Sequence, residues 1–218
     1  MTPVLNDEIS LPNLFVTSPV DLPYMRGVVV RSFLIMGGGG TLAIYNAPGL
    51  SEAKDTIIET GVPRSLLMSH WNEAIYGAPD LEVKPYVQSA DLDRTRRTIQ
   101  NIRRFEEYLD NLPELEIIAA PGHTAGSTMF LWTCGSHRVL FSGDSIWNNG
   151  GRWEAVVLSE SNREEYIGSL ETVAELGFDV LIPWVAKSES PYVNVCERPT
   201  ARKRILEIAQ RLRNGQCA

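Results

Sequence analysis

The sequence predicts an α/β (α+β) protein, a four-layer αββα sandwich in which two mixed β-sheets face one another with helices on both outer faces. Two observations carry that expectation: the first part of the chain is rich in strands, and the later part alternates helices with strands. The chain has 218 residues, of which 44% are hydrophobic and 22% charged. That composition belongs to globular proteins and not to disordered, collagenous or coiled-coil chains. No repeat, low-complexity stretch or Pro/Gly/Ser-rich linker divides it, so a single domain over residues 1–218 is expected.

The elements follow in order. Residues 27–35 and 41–45 are β-branched and apolar, and the four glycines 37–40 between them supply the positive φ angles of a hairpin. Because those glycines lead into a strand and not a helix, they do not read as a phosphate-cradling loop. A helix over 51–60, with Ser51 as N-cap and Gly61 as stop, precedes a short strand at 65–69. The spacing then predicts a long helix over 91–109. Arg94, Arg96, Arg97, Arg103 and Arg104 form its solvated face, Ile99, Ile102, Phe105 and Leu109 its buried one, and Glu106, Glu107 and Asp110 balance the charge. Strands are expected at 115–119, 128–133 and 138–141, the last two joined by a surface turn, 134–137, that carries His137. Ser161 and Glu164 form a capping box for a helix ending at Gly177, and a strand at 178–182 comes next. Pro199 fits the first turn of a closing helix to about residue 213, with Ile205, Leu206, Ile208, Ala209 and Leu212 as its buried stripe.

Charge and composition exclude several functions. Twenty Lys and Arg against 27 Asp and Glu leave a net charge of -7, with no basic surplus to neutralise phosphates, so nucleic acid is not an expected partner. The apolar stretch 27–36 is interrupted by Arg31 and too short to span a bilayer, and the first residues lack a basic leader. A cytoplasmic protein without a membrane partner is therefore expected. Cys134, Cys196 and Cys217 are odd in number and scattered, which argues against a disulfide framework or a cysteine zinc site.

The residues suited to chemistry are few. There are three histidines, and two of them, His70 and His123, stand where expected strands give way to loops. Asp144 follows another strand. Two imidazoles and a carboxylate suit zinc and neighbouring transition metals. Singly, each also has a structural reading: His70 as a turn cap, Asp144 in an Asx-turn, His123 ordering a glycine-rich loop.

Together, Pro-Gly-His-Thr-Ala-Gly-Ser at 121–127, Leu-Phe-Ser-Gly-Asp at 140–144 and the upstream His70 closing a strand resemble the metallo-β-lactamase superfamily of metallohydrolases. The resemblance extends over most of the chain, including the 29–47 hairpin and Gly150-Gly151-Arg152. It implies an H-x-H-x-D-H motif, a loop histidine, an aspartate bridging two metals and a last histidine near the C-terminus. This sequence departs from that pattern: Asn72, Ala74 and Ile75 stand at three ligand positions of the first motif, Val185 at the last histidine, and Asn46 at an aspartate of the hairpin.

The resemblance therefore implies at most one zinc or iron ion, or none. Its ligands would be His70, His123 and Asp144, with Asn72 and Glu73 as weaker donors, and a two-metal hydrolase is not expected. Three readings stay open. One is a metal-dependent hydrolase-like protein with an incomplete site and unknown substrate. Another is a non-catalytic member of the fold, structural or binding a small molecule. The third is a mononuclear non-haem iron oxygenase resembling persulfide dioxygenases, which matches the two-histidine, one-carboxylate set. Trp71, Asn46, Trp147, Arg152, Trp184 and Val185 are the residues expected at a binding cleft. With Tyr76 and Trp153 nearby, such a cleft would favour an apolar or aromatic ligand.

Overall fold

The computed structural model describes residues 1–5, 9–37, 40–107 and 114–216, which cluster into two compact units, Met1–Pro113 and Glu114–Ala218. The first unit carries a seven-stranded mixed sheet. Its order is Thr2–Leu5, Ser10–Val16, Phe33–Gly37, Gly40–Ile44, Ser65–Leu67, Lys84–Val87 and Arg103–Arg104. The first four strands pair antiparallel and the later junctions are parallel. Leu34, Ala43, Leu50, Ile57, Leu66, Met68 and Val87 form a buried cluster of this unit.

The glycine hairpin forms as expected, with Gly37 opposite Gly40, although Gly38 and Gly39 lie outside the described residues. The strand expected over 27–35 is two strands. Val28–Val30 pairs with Val20–Asp21, and the chain breaks before Phe33, where Ser32 and Thr17 exchange backbone and side-chain hydrogen bonds.

The helix expected over 51–60 is likewise divided, into Gly49–Glu52 and Lys54–Thr60. Ser51 lies inside the first piece and accepts a hydrogen bond from the Asp80 N–H at 2.9 Å instead of capping. Gly61 does close the second piece.

The largest correction concerns 91–109. Only Leu92–Thr95 is α-helical; the chain then turns, buries Ile99 and Ile102, and becomes extended at Arg103–Arg104. Arg103 and Arg104 pair in parallel with Tyr86 and Val87, which requires extended backbone where the periodicity predicts helix. Leu109 and Asp110 lie outside the described residues.

The second unit is built on a five-stranded mixed sheet ordered Leu115–Ala119, Thr128–Cys134, His137–Gly143, Val180–Pro183 and Asn194–Val195. The hairpin turn at 134–137 forms as expected. His137 is tied down there, its Nδ1 lying 3.0 Å from Asp179 Oδ2.

Helix Arg163–Ala174 begins one residue later than expected. Asn162 is its N-cap, accepting from the N–H groups of Glu164 and Glu165. The closing helix, Arg198–Arg213, has Pro199 in its first turn and buries Ile205, Ile208, Ala209 and Leu212; Leu206 is only partly buried. These residues pack in one apolar cluster with Leu131, Leu140, Leu170 and Phe178.

Cys134 and Cys196 are free thiols, and Cys217 lies outside the described residues. Among the described residues no helix is long and apolar enough to cross a membrane.

Truncating a fully packed residue of the closing helix leaves a cavity, whereas an exposed apolar side chain leaves none. Ile208→Ala is expected to cost about 2–5 kcal/mol of stability, and Ile58→Ala, at a residue 51% exposed, less than about 0.5 kcal/mol. Urea unfolding of both variants checks this.

Candidate metal centre

In the second unit the strand Leu115–Ala119 runs into the Pro121–Ser127 loop. The loop closes on itself through Ala120 N–H to Ser127 O, Gly122 N–H to Thr124 O, and Thr124 N–H to Ser127 Oγ, at 2.8 to 2.9 Å. It is also gripped by the start of helix Arg163–Ala174. Asn162 N–H donates to Gly122 O, Ser161 Oγ to His123 O and Ser169 Oγ to Pro121 O. Ser161, expected as the helix cap, is thus spent on the loop.

Gly122 is required twice over. Its φ is +138°, and a Cβ there would stand 2.2 Å from Tyr166 Cα. The loop presents His123, whose Nδ1 lies 2.7 Å from the Val156 carbonyl oxygen. A carbonyl only accepts, so Nδ1 carries the proton, and in the neutral ring Nε2 is the ligand-type nitrogen.

Asp144 follows the strand His137–Gly143. Gly143, with φ +58°, turns the chain out of the strand, and Ser142 holds the turn through Ser145 N–H to Ser142 O and Ser142 Oγ to Ile146 O. His123 and Asp144 are both buried, and each offers a ligand atom within 4.8 Å of the other's.

Tyr166 links the two loops. Its hydroxyl donates to Ser145 O at 2.5 Å and lies 3.4 Å from Val156 O, the acceptor used by His123. Burial pushes the Tyr166 phenol well above its ordinary pKa, and the negative charge of Asp144 pushes it further. No sequence signal marks Tyr166, because it reads as one apolar-face position of a helix. An imidazole with Nε2 available as a donor and a neighbouring carboxylate fit zinc or ferrous iron.

In the first unit His70 follows the strand Ser65–Leu67 in an extended conformation, immediately before the 3-10 helix Trp71–Tyr76. Its ring is fully buried, with Nδ1 2.9 Å from Ser69 Oγ and 3.7 Å from Glu73 Oε1. Glu73, a weaker ligand candidate in the sequence, turns both oxygens to other groups. Oε1 takes Ser69 N–H and Ser69 Oγ–H, and Oε2 takes Asn46 N–H, each at 2.6 Å. Asn46 is buried, and its amide donates to Glu73 O and Gly77 O.

The remaining positions are scattered over both units. The Asn72 amide donates to the Tyr24 hydroxyl, Ala74 is buried, and Ile75 is 45% exposed. Trp71 carries the Arg94 guanidinium 3.2 Å from its ring centroid, and its backbone N–H donates to Asp91. The Tyr76 hydroxyl reaches Asp21 O. Trp147 is half-buried, and the exposed Arg152 lies 3.6 Å from Glu154. Trp153 is a core residue stacked on Phe178, and Trp184 and Val185 are buried.

Tyr166 gives a pH-dependent prediction. The unfolded phenol releases its proton near pH 10, whereas the folded one retains it to higher pH, so stability is lost as pH rises above about 10. Tyr166→Phe should cost about 1–2 kcal/mol near neutral pH through its lost hydrogen bonds. It should also flatten that alkaline fall. Urea unfolding at several pH values from about 8 upward reads both effects.

No curated protein matches the chain by sequence. The sequence model described as the metallo-beta-lactamase superfamily matches residues 53–183. Among solved structures, the DIM-1 metallo-beta-lactamase exposed to ceftazidime is similar with a TM-score of 0.68 at 13% identity, over 91% of this chain and 93% of that one. A metallo-beta-lactamase family protein from Thermus thermophilus gives a TM-score of 0.62 at 17% identity, over 94% and 80%. A metallo-beta-lactamase from Staphylococcus aureus subsp. aureus COL gives 0.62 at 20% identity, over 94% and 68%. At such identities these likenesses show the fold, a mixed α/β architecture with several mixed sheets. The sequence match spans more than half of the residues, and on it the chain belongs to the metallo-beta-lactamase superfamily.

Proposed function

We propose that this protein is a metal-dependent, hydrolase-like member of the superfamily that holds a single zinc or iron ion through His70, His123 and Asp144. The observation that carries this reading is the pairing of His123 with Asp144: two buried potential ligands, on separate loops of one unit, within 4.8 Å of one another. His70 supplies the third donor from the first unit, at the position where the resemblance puts the first histidine of its motif.

A zinc ion held by these three residues would supply Lewis-acid activation of water near neutral pH. The chain's own residues have defined tasks. Val156 O fixes the His123 ring through its Nδ1–H, the Tyr166 hydroxyl holds the turn after Asp144, and Asp144 brings the negative charge. Asn72, Ala74, Ile75 and Val185 offer no set of strong donors for a second ion, so the proposal stops at one. The substrate is proposed to be a small molecule, since the net charge of -7 disfavours a polyanion.

Elemental analysis of tag-free protein purified without chelator is expected to find no more than one ion per chain. His70→Ala, His123→Ala and Asp144→Ala should each abolish uptake while leaving the circular dichroism unchanged. Two ions in the wild type would overturn the ligand assignment. No uptake on saturation with zinc, iron and manganese would favour the non-catalytic reading, and iron together with consumption of oxygen would favour the oxygenase.

A gain-of-ligand variant tests the same assignment in the other direction. Asn72→His, Ala74→Asp, Ile75→His and Val185→His combined should raise the capacity to two zinc ions, measurable by calorimetry, whereas each change alone should not.

A further inference from the structure

Glu73 is a buried acid that the proposed metal site does not use, and its hydrogen bonds have a direction. The Ser69 hydroxyl has one proton and two neighbours, Glu73 Oε1 at 2.6 Å and His70 Nδ1 at 2.9 Å. Glu73 Oε1 already receives the Ser69 backbone N–H, and Oε2 receives the Asn46 N–H, both at 2.6 Å. A carboxylate placed against two backbone donors acts as an acceptor throughout, so the Ser69 proton goes to Oε1. The Ser69 oxygen can then meet His70 only as an acceptor, which places the imidazole proton on Nδ1.

The backbone around this acid is shaped to hold it. Tyr45, fully buried, has φ of +67°, an uncommon conformation for a bulky residue. That twist lets consecutive N–H groups diverge, Tyr45 N–H to Leu67 O and Asn46 N–H to Glu73. Asn46, which replaces the acid implied by the resemblance at this position, adds its side-chain amide to Glu73 O and Gly77 O. The carboxylate in this place comes from Glu73 of the short helix Trp71–Tyr76, set against the backbone N–H groups of Ser69 and Asn46.

We propose that Glu73, acting through Ser69, is a positioning residue that locks His70 in its Nδ1–H tautomer and leaves Nε2 as its donor nitrogen. The consequence for metal affinity rests on the proposed role of His70 as a ligand; the tautomer itself does not. Neither Glu73 nor Ser69 touches the ion in this arrangement. They act as carboxylate partners act on other metal-bound histidines, by fixing ring orientation and raising donor strength.

The test begins with the metal-free, nitrogen-15-labelled full chain, in which long-range proton–nitrogen correlations report which ring nitrogen of His70 bears the proton. The His70 signals are assigned by their loss in His70→Ala. The expected result is Nδ1–H in the wild type and in Ser69→Thr, which keeps the hydroxyl, and loss of that preference in Ser69→Ala and Glu73→Gln. Zinc affinity, read by competition with a chromophoric chelator, should fall by about tenfold to a hundredfold in Ser69→Ala and stay within about threefold in Ser69→Thr.

An Nε2–H tautomer in the wild type would overturn the proposal without touching the metal reading. So would a Ser69→Ala variant that folds and keeps both wild-type tautomer and affinity. A wild type that shows Nδ1–H but takes up no zinc would support the lock and overturn the metal reading instead. The wild-type measurement stands even if Glu73→Gln fails to fold.

Discussion

Position 122 admits no side chain, and much of the placement of His123 and Asp144 depends on that. The backbone of helix Arg163–Ala174 comes so close to Gly122 that Tyr166 Cα occupies the space a Cβ would need. Once the two backbones touch, Ser161, Asn162 and Ser169 are within reach of the His123, Gly122 and Pro121 carbonyls and hold the loop that carries His123. The same helix directs the Tyr166 hydroxyl to the turn after Asp144. One helix and the two residues before it thus orient an imidazole and a carboxylate that are 21 residues apart in sequence, both of them candidate ligands.

The two histidines are held by different chemistry. His123 rests on a backbone carbonyl, an acceptor that cannot change its role. His70 rests on a hydroxyl that takes its direction from a buried carboxylate. A carbonyl tolerates most changes of sequence around it, whereas the Ser69–Glu73 arrangement needs two particular side chains and the backbone of Asn46. The His70 ring therefore depends on side-chain identity where the His123 ring depends on a main-chain acceptor.

What can be read from the sequence follows from how local each signal is. The glycine hairpin, the strand Leu115–Ala119 and the Cys134–His137 turn are written in consecutive residues, and all form. The start of helix Arg163–Ala174 reads one residue early because Ser161 has the chemistry of a cap, but its hydroxyl is taken by His123 O. The helix expected over 91–109 fails for a tertiary reason: Arg103 and Arg104 find extended partners in Tyr86 and Val87, a pairing no helical periodicity can reveal. His123 and Asp144 can be picked out by their motifs. Tyr166 cannot, since its partners lie 10 and 21 residues away. Glu73 stands out as an acid, but its direction depends on Asn46, 27 residues upstream.

The parallel strand Arg103–Arg104 ends one side of the seven-stranded sheet. Only two residues long and exposed, it offers an approaching chain a very short row of backbone groups on a segment of two arginines. A short edge strand that carries charged side chains is a poor template for pairing with another strand. The extension of this segment, where the periodicity predicts helix, thus ends the sheet, among the described residues, on a short arginine-bearing strand and not on a long apolar one.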